Sequence, residues 1–119
     1  MKEQHEAMVT ALFKDGQEIA DNMTADDAYL IHAIMGVSGE TGELLDAIKK
    51  HVMYKKPLDR VHVIEELGDI EFYLEALRQG LGIDRDEVLH VNIKKLTARY
   101  PAGSYSNTDA VERKDKVEE

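Results

Sequence analysis

The sequence predicts an all-α fold: four helices bundled around a central antiparallel hairpin, followed by a polar C-terminal tail. Three observations carry this expectation. Two long segments show stripes with alternating steps of four and three, Leu30, Ile34, Val37, Thr41, Leu44 and Ile48 in one and Val63, Leu67, Ile70, Leu74, Leu77 and Leu81 in the other. That is the periodicity of helices packed on helices. The chain has two prolines, Pro57 and Pro101, and both fall where a helical pattern has just ended, as suits a residue with no amide proton. No stretch alternates apolar and polar residues for long enough to read as a strand.

The elements follow in order. Residues of about 3–14 form a first helix with Met8, Val9, Leu12 and Phe13 on one side, and Gly16 lies beyond its end. Thr24 opens the second helix with Asp27 three places on, close to a capping box. That helix runs to about Met53, and the turn is Tyr54 to Asp59. The third helix starts after Asp59 and ends at Gly80 or Gly82. Asp84 caps a fourth helix, with Glu87 at the capping-box position and Leu89, Ile93, Leu96 and Tyr100 on its apolar face, and Pro101 stops it. Residues 1–101 are thus expected to form one domain and 102–119 a tail. In the tail, Ser106-Asn107-Thr108-Asp109 could cap a short helix through Val111. The competing reading is a mobile tail.

Composition narrows the function classes. A formal charge of −9 argues against binding a nucleic-acid backbone, which needs clustered Lys and Arg. It also poses a difficulty for any phosphate ligand, one that metal ions would resolve. The chain has no cysteine, hence no disulfide framework, zinc–thiolate site or thiol nucleophile. No apolar run reaches the length of a membrane span. The N-terminus, Met1-Lys2-Glu3-Gln4-His5-Glu6, lacks the apolar core of a signal peptide. A cytoplasmic protein without a membrane partner is the expectation.

The chemistry lies in four acids. Glu40 and Glu43 are three apart, as are Glu66 and Asp69, so each pair shares one helix face. In an antiparallel hairpin, residues whose numbers have the same sum lie at about the same level. The sum is 109 both for Glu43 with Glu66 and for Glu40 with Asp69. The acids sit beside the apolar stripes, at the edge of the predicted interface. Glu40 and Glu43 share a row with Ala33, Gly36 and Ala47, and Glu66 and Asp69 with His62 and Tyr73. Helix axes pack about 8–10 Å apart, so carboxylates from both sides can reach one ion. Two charges about 6 Å apart repel by roughly 3 kcal/mol at an effective dielectric near 20. A hard divalent cation with oxygen ligands relieves that repulsion. The alternative is a solvated acidic face, which the matched second pair disfavours. Gly36, Gly39 and Gly42, also spaced by three, strip side chains from the helix around Glu40, or serve close helix packing, or both. A di-iron bundle would want two Glu-x-x-His motifs. Glu87 to His90 is the only one, outside the hairpin, so all-oxygen ligation favours Mg²⁺ or Mn²⁺.

Asn92, Lys95 and Arg99 form one polar row on the fourth helix, able to hold phosphate oxygens or simply to be a charged surface. His32 lies eleven residues before Glu43 on nearly the same face, roughly 16 Å along the axis at 1.5 Å per residue. It could touch the far end of a nucleotide, although a lone helical histidine is more often structural. Asp46 continues the acidic row as an outer neighbour of the site.

Three segments carry a family resemblance: His32 to Leu44 with Gly39-Glu40-Thr41-Gly42-Glu43, Val63 to Ile70 with Glu65-Glu66-Leu67-Gly68-Asp69, and Asn92 to Pro101 with Asn92-Ile93-Lys94-Lys95 and Arg99-Tyr100-Pro101. Together they resemble the MazG-like nucleotide pyrophosphohydrolases of the all-α nucleoside triphosphate pyrophosphatase group, over about residues 27–101. The resemblance implies that Glu40, Glu43, Glu66 and Asp69 hold Mg²⁺, with Mn²⁺ as a substitute. It implies that Glu40 or Glu43 accepts a proton from the attacking water. Asn92, Lys95 and Arg99 inherit phosphate binding, with Tyr100 as a neighbour. The implied reaction is hydrolysis of a nucleoside triphosphate, ribo- or deoxyribo-, to the monophosphate and pyrophosphate, with nucleotide-pool house-cleaning as the usual role. Family members assemble as dimers or tetramers, so a homodimer or homotetramer is implied. Some relatives carry a tandem Glu where this chain has Gly39, which leaves the number of metal ions open. The competing functions are phosphoribosyl-ATP pyrophosphohydrolase and a non-catalytic helical module that binds nucleotides.

Overall fold

The structure, a computed structural model, describes residues 1–116; the last three positions of the expected tail lie outside the described residues. Six helices follow one another: α1 (Lys2–Leu12), α2 (Gly16–Asn22), α3 (Ala25–Met53), α4 (Arg60–Leu81), α5 (Arg85–Arg99) and α6 (Asn107–Glu112). No described residue is in a strand. The all-α class and the central hairpin stand as the sequence predicts. The first predicted helix forms as α1, and Gly16, expected only to follow its end, opens a further short helix, α2, that was not expected from sequence.

Local chemistry fixes most helix ends. Thr24 and Asp27 form the full capping box, Asp27 N–H donating to Thr24 Oγ1 at 3.1 Å and Thr24 N–H to the Asp27 carboxylate at 3.0 Å. The Asp59 side chain accepts from His62 N–H at 3.1 Å and so starts α4. Gly82, at φ 65°, ends it in the left-handed conformation, where glycine carries no steric penalty. Asp84 occupies the N-cap of α5 but makes no side-chain cap bond, so that expected capping box is absent. In the tail, Ser106 Oγ accepts from Asp109 N–H at 3.1 Å, and the short helix forms.

The one extensive helix–helix contact among the described residues is α3 against α4; α5 meets α6 over a much smaller area. The bundle around the hairpin is therefore not closed by helices of the same chain. The radius of gyration is 20.4 Å, against about 13–14 Å for a compact domain of this length. The exposed surface is 10060 Å², against about 6,500 Å² for a folded monomer of this mass. Large apolar side chains are correspondingly bare, with Phe13 80%, Met53 70% and Phe72 68% exposed.

Within the hairpin, the helices meet along a different line from the one the apolar stripes predict. On α3 the contact row is Ala33, Gly36, Val37, Glu40, Leu44 and Ala47, while Ile34, Thr41 and Ile48 of the expected stripe are exposed. On α4 it is His62, Val63, Glu66, Ile70, Tyr73, Leu74 and Leu77, with Leu67 and Leu81 exposed. Within the hairpin, Ala33 and Glu66 are the most deeply buried residues, 3% and 5% exposed. The cause is size. Gly36 faces the Tyr73 ring and Gly80 faces the Tyr29 ring so closely that a Cβ on either glycine would overlap it. Tyr29 also donates its hydroxyl proton to the Ala76 carbonyl at 2.8 Å. Small residues against two tyrosines bring the backbones together on the acidic row and turn part of each apolar stripe outward.

Candidate metal centre

Glu40 and Glu43 lie on α3, and Glu66 reaches them from α4. Each of the three offers an oxygen within 4.8 Å of those of the other two. Glu40 and Glu66 thus lie in the interface, while Glu43 and Asp69 stay at its edge. Glu66 is 5% exposed, Glu40 is half-buried, and Glu43 lies at the open side. With the acids ionised, no group donates a hydrogen bond to the buried Glu40 Oε2 or Glu66 Oε2. Buried polar atoms are normally paired, so two buried carboxylate oxygens without a donor, one from each helix, suit a positively charged group.

The electrostatics agree. Hydrogen bonding with Glu40, then burial, then the hydrogen bond and charge of Glu43 push the Glu66 carboxyl from its ordinary 4.5 up to about 7. A proton on Glu66 is the metal-free way to hold the acids together. Nearby cations do little to relieve the cluster. His62 Nε2 stands 3.7 Å from Glu66 Oε1, and Lys50 is engaged with Asp46 at 2.8 Å. An all-oxygen carboxylate set of this kind fits a hard divalent cation.

The remaining predicted residues are placed less closely. Asp69, three residues beyond Glu66 on α4, is exposed and outside the trio. The His32 ring packs edge-on to Tyr73, centroids 6.1 Å apart, so it belongs to the hairpin seam as well as to the acidic side of α3. Asn92 and Lys95 are exposed on α5, which has no extensive packing on α3 or α4. The polar row of α5 and the carboxylates are therefore not brought together within one chain. Arg99 is half-buried and donates from Nε to Asp115 Oδ1 at 2.6 Å and from Nη2 to Asp115 Oδ2 at 3.1 Å. Tyr100 lines a hollow of about 450 Å³ with Leu96, Pro101 and Tyr105. A hollow of about 390 Å³ beside α2, lined by Ile19, Asn22 and Leu30, includes none of the three acids.

The model of the MazG nucleotide pyrophosphohydrolase domain matches residues 31–104, which takes in α3 from Ile31 onward and all of α4 and α5. The chain belongs to the MazG family. No curated protein and no solved structure matches it. As a MazG domain it carries its acid trio on the hairpin, and the matched region ends before α6. Two residues were not singled out from sequence. Tyr73, which sets the hairpin spacing, shared a row with Glu66 and so had a signal. Asp115, sixteen residues from Arg99, had none.

Proposed function

We propose that the protein is a Mg²⁺-dependent nucleoside triphosphate pyrophosphohydrolase, releasing pyrophosphate and a nucleoside monophosphate in nucleotide-pool house-cleaning. The observation that carries this reading is the buried trio Glu40, Glu43 and Glu66 with two orphaned oxygens in a chain of the MazG family. Glu40, Glu43 and Glu66 hold Mg²⁺, or Mn²⁺ in its place, and Asp69 joins them from the next turn of α4. When bound, the ion supplies charge neutralisation of the triphosphate and activation of water for attack at the α-phosphorus. Glu40 or Glu43 takes the proton from that water, a role suited to a carboxylate at the open side of the groove. Asn92, Lys95 and Arg99 bind phosphate oxygens, with Tyr100 beside them and His32 toward the far end of the nucleotide.

The expected result is pyrophosphate release from some members of a ribo- and deoxyribonucleoside triphosphate panel, dependent on Mg²⁺. Glu43→Gln and Asp69→Asn should each lower turnover on the order of a hundredfold, the scale for losing one group that positions charge in the transition state. Full turnover in both variants would remove the assignment. Release only from phosphoribosyl-ATP would move it to that hydrolase, and nucleotide binding without release to a silent binding module.

The working form on this reading is a homodimer or homotetramer. Its support is the surface left bare by one chain, about 3,500 Å² beyond that of a compact monomer, which falls in the range of obligate interfaces. The isolation of α5 from the hairpin points the same way, since a second copy can set its phosphate row against the trio. Light scattering should give a mass at least twice 13.4 kDa. A clean monomer at micromolar concentration would count against a shared cleft. Nucleic acid and membrane are not expected partners, and no helix among the described residues is long and apolar enough to cross a membrane.

A further inference from the structure

The Arg99–Asp115 pair is built with more care than a surface ion pair. The Asp115 side chain is 1% exposed and that of Arg99 18%. Their two parallel hydrogen bonds, 2.6 and 3.1 Å, are the side-on, bidentate form of a charge-assisted contact. The Arg99 hydrogen bonds in turn hold the Asp115 carboxyl below its ordinary range. Bringing Asp115 back to the end of α5 takes several local devices. Gly103 turns the chain at φ 73°, its N–H donating to the Tyr100 carbonyl at 2.9 Å. The Tyr100 and Tyr105 rings lie 5.7 Å apart. Ser106 caps α6, and Arg113 ends it at φ 51°, a conformation uncommon for a residue with a Cβ. Lys116 N–H then bonds the Arg113 carbonyl at 2.9 Å and closes the last turn around Asp115.

This contact engages Nε and Nη2, two of the three guanidinium nitrogens, and two of its five N–H donors. We propose that Asp115 is a positioning residue: it clamps the Nε–Nη2 edge of Arg99 so that the Nη1 end is presented, in a fixed plane, to a phosphate group of the substrate. The proposal rests on the reading above that Arg99 meets substrate phosphate. An unclamped arginine at a helix end samples many rotamers, and a guanidinium held by its far edge needs less ordering when a phosphate arrives. The tail segment 102–116 thereby becomes part of the phosphate site although it carries no phosphate ligand itself.

Inorganic pyrophosphate with Mg²⁺ is the probe, measured by calorimetry on the full chain, alongside KM and kcat for a triphosphate substrate. Asp115→Ala should weaken pyrophosphate binding and raise KM about tenfold, the lower end of what loss of an orienting outer neighbour costs, with kcat changed little. Asp115→Asn, nearly isosteric and keeping one acceptor, should fall between. In an Arg99→Ala background, Asp115→Ala should add no further loss. Unchanged or tighter pyrophosphate binding in Asp115→Ala and Asp115→Asn would overturn the proposal, tighter binding making the tail an occluding clasp instead. An equal loss in the Arg99→Ala background would overturn it too, since Asp115 would then act on the fold and not through Arg99. Wild-type binding by Arg99→Ala alone would remove the phosphate role of Arg99 itself, and the proposal with it, whatever Asp115 does.

Discussion

Glu66→Gln should abolish Mg²⁺-dependent turnover while making the metal-free protein more stable at pH 8. The two effects have one cause. Glu66 is 5% exposed between Glu40 and Glu43, and its carboxyl is raised from 4.5 to about 7 chiefly by the hydrogen bond with Glu40. Between those two values the folded state holds a proton that the unfolded state has released. Stability conferred by that proton is fully present below about pH 4.5 and is lost as pH rises through about 7. The metal-free protein should therefore melt at a lower temperature at pH 8 than at pH 5.5. Carboxyls held below their ordinary values, such as Asp115 by the Arg99 hydrogen bonds and Asp46 by Lys50, work in the other direction, but their stability is lost only as pH falls below about 4, outside this window.

A glutamine at position 66 has nearly the shape of the protonated acid and carries two donors that can meet the orphaned oxygen of Glu40. It should flatten the melting profile between pH 5.5 and 8 and remove most of the stabilisation by Mg²⁺. That stabilisation in the wild type should be larger at pH 8 than at pH 5.5, because below the raised pKa the ion competes with the proton. Melting curves in EDTA and in Mg²⁺ at the two pH values test all of this together. A metal-free melting temperature that rises from pH 5.5 to 8, or a Gln variant still stabilised by Mg²⁺ as the wild type is, would sink the account.

The hairpin register was legible without coordinates, and the reason is simple geometry. The sum of 109 that pairs Glu43 with Glu66 is also that of Gly36 with Tyr73 and of Tyr29 with Gly80, two places where a glycine of one helix lies against a tyrosine ring of the other. Helix ends were legible where a side chain makes the cap, as at Thr24 and Asp59. They were misread where a glycine can either stop a helix or start one, as at Gly16. The rotation of each helix was not legible from apolar periodicity. Ile34 and Ile48 belong to a stripe that one chain does not cover, and the face actually used is chosen by the small residues Ala33, Gly36 and Ala47. Apolar periodicity shows which faces of a helix are apolar, not which of them the neighbouring helix covers. Three of the four predicted acids come together, whereas Asn92 and Lys95 remain apart from them, because spacing within α5 does not say where that helix packs, and it makes no extensive contact with α3 or α4. The Arg99–Asp115 pair depends on two turns with positive φ, which no local spacing announces.

Gly36→Ala should destabilise the hairpin, although alanine is the better helix former by up to about 1 kcal/mol. A Cβ at position 36 would overlap the Tyr73 ring at Cγ, Cδ1 and Cε1. The ring has little room to yield, being half-buried with the edges of His32 and Phe72 against it at centroid distances of 6.1 and 5.2 Å. Overpacking of this sort costs about 1–3 kcal/mol, so the net change should be a loss, seen as a melting temperature lower by several degrees. Gly39→Ala and Gly42→Ala provide the contrast. Nothing lies within 4 Å of the Cβ at either position, and the same substitution should there leave stability unchanged or raise it by up to about 1 kcal/mol. Spacing by three made the three glycines look alike; only Gly36 is pressed against the other helix. Gly36 is also one turn before Glu40, so wedging the helices apart there should widen the gap between Glu40 and Glu66 and shift the Mg²⁺ midpoint to higher concentration. If the clash is the cause, Tyr73→Ala should cost less in the Gly36→Ala background than alone, since the ring it removes is then the obstruction. Equal melting temperatures for Gly36→Ala and Gly42→Ala would mean that the close approach of α3 and α4 does not hold the carboxylates together, and the spacing of the metal site would need another origin.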